Sequence, residues 1–406
     1  MSMPTLSPID SSRPTGRRTQ EAPSEPRLGP LVALDPLLAL AVIGLGVCSV
    51  VTLRSVTAEL VPGQPHYYSN RQTVYLAIGL ALMMVFTRVD YARLRQWGRG
   101  IYAALIFTIF AVLGLGHGAK GSVRAISFPF FSFQASELGK VLLILALAAL
   151  VVERWRTLRN RDTTVRVMLA ALIPAMLVIA QPYLGSGLVY IAVAVTVLFV
   201  AGVPWRHLAG LAALGGVALA LVLVAAPAVG VHVLKPYQTA RLTAFLNPPK
   251  NSEEEGYQQE ESQIAIGSGQ KTGRGENATQ TKLHFVPEDN TDFMFAAIGE
   301  QYGFVGAALV LSLYALLIWR ALRILTMSKD LFGSLIAGGV VAMLMFQVFV
   351  NVGMAIGIMP ITGVTLPLMS YGGSSVIATL LAVGLLQSIY VQARATEALK
   401  GRVLRH

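Results

Sequence analysis

Apolar runs about as long as a bilayer is thick recur along this chain of 406 residues. Few architectures can accommodate them. A helix needs ~20 predominantly apolar residues to cross a hydrocarbon core of ~30 Å. Such spans are expected near residues 37–53, 73–87, 101–116, 137–152, 167–181, 187–203, 208–230, 293–319, 333–356 and 372–392. The chain therefore reads as an all-α polytopic membrane protein of about ten transmembrane helices, with a long extracytoplasmic loop between spans seven and eight. A transmembrane barrel would show short alternating segments, and these runs do not alternate. Charged residues make up only 13% of the chain and its mean hydropathy is +0.61, against about 25% charged residues in soluble domains.

The charges order these spans. Arg88, Arg93, Arg95 and Arg99 follow the second, and Arg154, Arg156, Arg159, Arg161 and Arg166 the fourth. Arg206 follows the sixth, Arg320 and Arg323 the eighth, and Arg394, Lys400, Arg402 and Arg405 the tenth. Every even-numbered span thus exits into positive charge, which puts both termini in the cytoplasm and the loop of residues 231–291 outside. The net charge of +11 is then a topological signal and calls for no nucleic acid. Residues 1–30 read as a disordered cytoplasmic tail, 31–395 as the membrane domain and 396–406 as a second cytoplasmic tail. Asp35-Pro36 reads as an N-cap followed by Pro at the first helical position. No small-residue cleavage signature follows, so the first span is expected to be retained.

Some chemistries drop out early. Cys48 is the single cysteine, which leaves no internal disulfide and no thiolate cluster. The six His show no paired ligand spacing. Gly267-Ser268-Gly269-Gln270-Lys271-Thr272 has the wrong order for a phosphate loop.

Three constellations carry chemical content. Asp292 ends a polar, charge-dense loop where a long apolar helix begins, and a carboxylate at a bilayer boundary is costly without a partner or a task. It reads either as a helix cap or as a functional group. Glu137 and Lys140 lie three apart near the start of the fourth span, on one helical face, as a structural ion pair or a ligand site. The segment Pro360–Ser375 joins the last two spans with Pro and Gly that break a helix. Irregular backbone at that depth is tolerated only when buried or lining a cavity, and Asn351 just before it needs a partner for its amide. In the outer loop, residues 263–269 are too apolar for a solvated linker and are expected to pack back on the bundle.

These pieces resemble the SEDS (shape, elongation, division and sporulation) family of peptidoglycan glycosyltransferases. The resemblance is carried by Ser136-Glu137-x-x-Lys140, Tyr237-Gln238-x-x-Arg241, Phe245-Leu246-Asn247-Pro248, Gly256-Tyr257-Gln258 and Ile264–Gly269. It continues through Gly273-Arg274-Gly275, Thr279-Gln280, Pro287-Glu288, Thr291-Asp292-Phe293 and Pro360–Ser375, in family order from about residue 35 to 395. The wording Asn351-Val352-Gly353-Met354 and Met359–Gly363 is more similar to the elongation branch, RodA, than to the division branch, FtsW. Three positions depart from the family pattern: Tyr183 stands for an Asp, Asn290 for a His and Gln301 for a Glu.

The resemblance implies a multi-pass protein of the bacterial cytoplasmic membrane that polymerises lipid II into glycan strands on its outer face, for elongation and shape. It implies Asp292 as the catalytic base and Arg124, Glu137, Lys140, Lys235, Arg241 and Ser370 as substrate-binding residues in one outward-opening cavity. It also implies a helping divalent cation, Mg or Mn, although no dedicated ligand set is visible, and no organic cofactor. The competing class is a lipid II flippase, since intramembrane charges and a broken helix suit alternating access as well. No Ser-x-x-Lys transpeptidase signature occurs in an outer region, so the expected partner is a class B penicillin-binding protein. Its single transmembrane helix is expected in a lipid-facing groove at Gly338, Gly339, Ala342 and Gly353, where small residues allow close approach.

Overall fold

The computed structural model describes residues 34–58, 60–115, 125–127, 131–181, 184–221, 254–281 and 290–403. Its helices are α1 (Pro36–Val56), α2 (Tyr67–Arg88), a one-turn α3 (Tyr91–Leu94), α4 (Gly98–Leu115), α5 (Ala135–Glu153) and α6 (Arg161–Ala180). They continue with α7 (Leu184–Val200), α8 (Trp205–Ala220), α9 (Glu254–Ser268), α10 (Met294–Met327), α11 (Leu331–Ala355) and α12 (Gly373–Val403). Among the described residues, β structure is confined to β1 (Ile126–Ser127) and β2 (Ser132–Phe133), paired antiparallel just before α5.

Each expected span overlaps a helix, and among the described residues seven helices are long and apolar enough to cross a membrane. α7 is apolar but shorter, at 17 residues. α2 has the length, but its first two turns carry Tyr67, Tyr68, Ser69, Asn70, Arg71, Gln72 and Thr73. The last helix runs through residue 396 to Val403.

α5, α11 and α12 form the centre of the bundle, while α4 and α10 present most of their length outward. α1 shows the boundary in its sequence. Leu38, Ala41, Val42 and Leu45 are buried, and Leu40, Ile43, Val47 and Val51 are exposed at the three- and four-residue spacing of one helix face. Lipid is as apolar as these side chains, so helix association rests on close packing and internal polar contacts. α2 meets α12 this way, with Gly79 against Leu380 and Gly384 against Met83 and Phe86.

The same logic corrects the expected partner groove. A Cβ on Gly338 would lie 2.8 Å from Val200 of α7, and one on Gly339 2.8 Å from Ile144 of α5. Ala342 is buried, and Gly353 faces Met359. α11 is too central for its small residues to face lipid, because its neighbours within the chain already use them.

A buried polar knot closes the arginine-rich end. Asp35 caps α1, its Oδ1 accepting from the N–H groups of Leu37 and Leu38. Arg320 of α10 donates to both its carboxylate oxygens. Gln387 of α12 accepts from the Asp35 N–H at 2.8 Å and donates to its carbonyl at 3.2 Å. One acidic residue thus joins three helices, with the charge-assisted bonds a buried carboxylate requires.

α10 is broken at Gly303 (φ 62°, ψ −157°). The chain after α9 fills the break. The Phe304 and Val305 N–H groups donate to the carbonyls of Gln270 and Lys271, and the Arg274 N–H donates to the carbonyl of Glu300. Such contact is possible only without side chains, since a Cβ on Gly269 would lie 1.9 Å from the Gly299 carbonyl oxygen. The stretch 263–269 does pack back on the bundle, as the end of α9 and the turn after it.

Candidate active site

Asp292 lies two residues before α10, whose N-cap residue is Phe293 and makes no side-chain capping hydrogen bond. Asp292 itself is partly exposed. Its backbone is fixed from two sides. The Asn351 Nδ2 group of α11 donates to the Asp292 carbonyl at 2.8 Å and to the Val364 carbonyl at 2.7 Å. The loop before α12 holds the preceding residues: the Ser370 hydroxyl donates to the Thr291 carbonyl, and the Tyr371 N–H to the Asn290 carbonyl.

That loop is itself pinned. The Leu366 N–H donates to the Ser370 hydroxyl at 2.9 Å, and Tyr314 of α10 donates to the Pro367 carbonyl. The Ser49 hydroxyl of α1 donates to the Met369 carbonyl, and Gln72 of α2 donates to both Ser49 and the Ser370 carbonyl. Leu368 is held at φ 65°, in the left-handed region that a branched side chain seldom adopts. Such strain persists only where the surroundings over-determine it, and it concentrates at functional sites. Ser370 is buried, with its hydroxyl engaged on both sides, so in this structure it positions Thr291 and presents nothing to a ligand.

Glu137 and Lys140 form a buried pair, each side chain 2% exposed, with Nζ 2.7 Å from Oε1. Tyr190 of α7 donates to the Ser136 carbonyl, and its hydroxyl fills the space beside Gly139, where a Cβ would lie 2.1 Å away. The pair therefore sits inside the bundle as a neutral unit at the start of α5. Its helix is tied to the first turn of α12 through the Gln134 N–H, which donates to the Ser374 hydroxyl at 3.0 Å.

A polar pocket of about 380 Å³ opens between the start of α2, the β1–β2 hairpin and the residues around the start of α12. Arg71 supplies its cation, lying 4.5 Å from the centre of the Tyr67 ring and hydrogen-bonded to Tyr371. Burial, then the neighbouring Tyr75, pushes the Tyr371 hydroxyl up to about 12, which keeps it a neutral hydrogen-bonding group. Ser132, Gln134, Thr365 and Ser375 add hydroxyls and an amide. Tyr371 links the pocket wall directly to the Asn290–Asp292 segment through its N–H. Arg71 was not among the expected site residues. The available signal was a lone Arg at the arginine-poor end of a span, where topology alone gives no reason for one.

Arg124, Lys235 and Arg241 lie outside the described residues, as does Tyr183. Among the described residues no three His, Cys, Asp or Glu converge, and Glu137 is already held by Lys140. These donors do not make a ligand set for Mg or Mn.

Comparison with known proteins places the chain in a family. The FtsW/RodA/SpoVE family, described as cell cycle protein, matches residues 33–395. A probable peptidoglycan glycosyltransferase FtsW from Thioalkalivibrio sulfidiphilus is 36% identical over 363 residues, covering 87% of this chain and 88% of that protein. Peptidoglycan glycosyltransferase MrdB of Escherichia coli is 34% identical over 360 residues, covering 88% and 94%. A chain in a solved peptidoglycan synthase complex, described as coordinating polymerization and crosslinking, superposes with a TM-score of 0.73. It is 32% identical, with 89% of this chain and 99% of that one covered.

Proposed function

Because this chain belongs to the FtsW/RodA/SpoVE family, we propose that it is a peptidoglycan glycosyltransferase that polymerises lipid II into glycan strands at the outer membrane surface. The observation that carries the assignment is the doubly anchored backbone of Thr291 and Asp292 beside the Arg71 pocket. Two of the most similar proteins are named as glycosyltransferases of this kind.

The reaction follows from the groups present. An acceptor sugar hydroxyl attacks the anomeric carbon of the donor and forms the glycosidic C–O bond. The bond from that carbon to the pyrophosphate oxygen breaks, and its electron pair leaves with the lipid pyrophosphate. The Asp292 carboxylate takes the hydroxyl proton, as a general base within hydrogen-bond reach of a nucleophile does. A single displacement of this kind inverts the anomeric centre. The developing charge on the leaving group needs fixed cations and donors in a poorly solvated site. Arg71 and the hydroxyls around it are suited to that task, with Arg124, Lys235 and Arg241 as further candidates. Lys140, which already neutralises Glu137, serves the architecture of α5 before it serves a ligand.

The wording of Asn351–Met354 and Met359–Gly363 favours the elongation role over division. Both termini are assigned to the cytoplasm by the arginine distribution. A class B penicillin-binding protein is the proposed partner, consistent with the crosslinking complex to which the fold is similar. Its helix must use a face other than the Gly338–Gly339 ridge, and Met345 and Phe349 mark where α11 does face outward. The test is purified protein in liposomes supplied with lipid II. Polymer that disappears with Asp292→Asn supports the reading, whereas lipid translocation without polymer would replace it with a flippase.

A further inference from the structure

The end of the bundle opposite Asp292 holds a second pocket. It measures about 490 Å³ and lies between α4, α5 and α6. Its wall is apolar, formed by Leu147 and Leu150 of α5 with Leu169 and Ile173 of α6. Its rim is cationic, with Arg99, Arg154 and Arg166 on three different segments. Glu153 shares the rim, 3.8 Å from Arg99. Three cations and one carboxylate leave two net positive charges at the mouth of a hydrophobic slot.

The depth of this pocket selects among anionic ligands. Trp97 and Trp155, 69% and 52% exposed, stand next to Gly98 and Arg154 of its lining. Exposed Trp side chains settle where headgroups meet hydrocarbon, so the rim lies in the headgroup layer and the wall below it in the acyl layer. A soluble anion would find the cations but has no use for the wall. A neutral lipid would find the wall but not the cations. Basic pockets between transmembrane helices bind lipids that carry both features. We propose that this pocket binds an anionic glycerophospholipid of the adjoining leaflet, its phosphate between Arg154 and Arg166 and an acyl chain along Leu150 and Leu169. The occupant would brace α5 at the end opposite Glu137 and Lys140.

The test uses the full chain in nanodiscs of phosphatidylglycerol mixed into phosphatidylcholine, with retained lipid counted by native mass spectrometry. The wild type should retain phosphatidylglycerol preferentially. Arg154→Ala with Arg166→Ala should weaken retention by roughly thirtyfold, since each interfacial Arg contributes on the order of fivefold. Leu169→Trp keeps every charge and fills the slot at a residue already 48% exposed; it should also lose the lipid while melting near the wild type. Millimolar inorganic phosphate should not compete. Equal retention of both lipids, or retention unchanged in both variants, would overturn the proposal. Displacement by free phosphate would also overturn it, by making this a site for soluble anions.

Discussion

The two ends of α5 carry the same kinds of side chain in opposite circumstances. At its start, Glu137 and Lys140 are 2% exposed and 2.7 Å apart. At its finish, Glu153 is 41% exposed and stands 3.8 Å from an Arg99 that is 92% exposed. The first pair has lost its water and depends on its partner, whereas the second is screened by solvent and needs none. The surroundings differ in the same sense. Near the start of α5 the backbone is irregular, Leu368 is strained, and buried hydroxyls and amides hold loop carbonyls one by one. At the finish, regular helices end in solvated arginines, although the Asp35–Arg320–Gln387 knot there is buried. Polar groups are concentrated where the chain must hold a precise non-helical shape inside the membrane.

Four measurements can break or sharpen this contrast, in decreasing order of expected effect. Asp292→Asn should lower glycan polymerisation by about two to four orders of magnitude with an unchanged melting temperature. Polymer at wild-type rates would remove Asp292 from the chemistry. Lys140→Met leaves Glu137 buried and unpaired and should destabilise the fold by about 3–5 kcal/mol. Adding Glu137→Gln to it should restore most of that loss in a melt; if it does not, the pair was not isolated from water.

Asn351→Leu removes the amide that clamps the Asp292 and Val364 carbonyls and should cost about 1–3 kcal/mol. It should also lower turnover more than it raises KM, because the base is displaced while the Arg71 pocket is untouched. Equal activity at a lowered melting temperature would reduce Asn351 to a structural brace. Arg93→Ala, at the exposed end, breaks a 3.9 Å contact with Asp90 and should change stability by less than about 1 kcal/mol. A larger loss in thermal unfolding would mean that the solvated end is not as expendable as its exposure indicates.

Much of this was legible in the residues because membrane physics leaves few choices. Run length located a helix at each of the expected spans. Asp35-Pro36 announced the start of the first, and Asn351 announced a buried amide in need of a partner, since such a group in an apolar helix has nowhere else to turn. Arg71 went unseen because, apart from Tyr67 and Tyr75 on its own helix, its neighbours lie about 60 to 300 positions away in sequence, and periodicity carries no information about them. The small residues of α11 misled for a related reason: a glycine permits close approach but does not say to what.

The sequence by itself determined that this chain crosses a membrane repeatedly, that its cations gather at one end, and that Asp292, Glu137 and Lys140 are the charges most in need of explanation. Each of these follows from the local cost of placing a residue type in hydrocarbon. Only the tertiary structure decided that Glu137 and Lys140 neutralise each other and that Gly338 and Gly339 face inward. It alone showed the Asp292 carbonyl held by Asn351 and the Thr291 carbonyl held by Ser370. These outcomes depend on which distant helix supplies the partner atom, and that is set by packing, where a donor and a carbonyl from remote parts of the chain meet because neither has water to turn to.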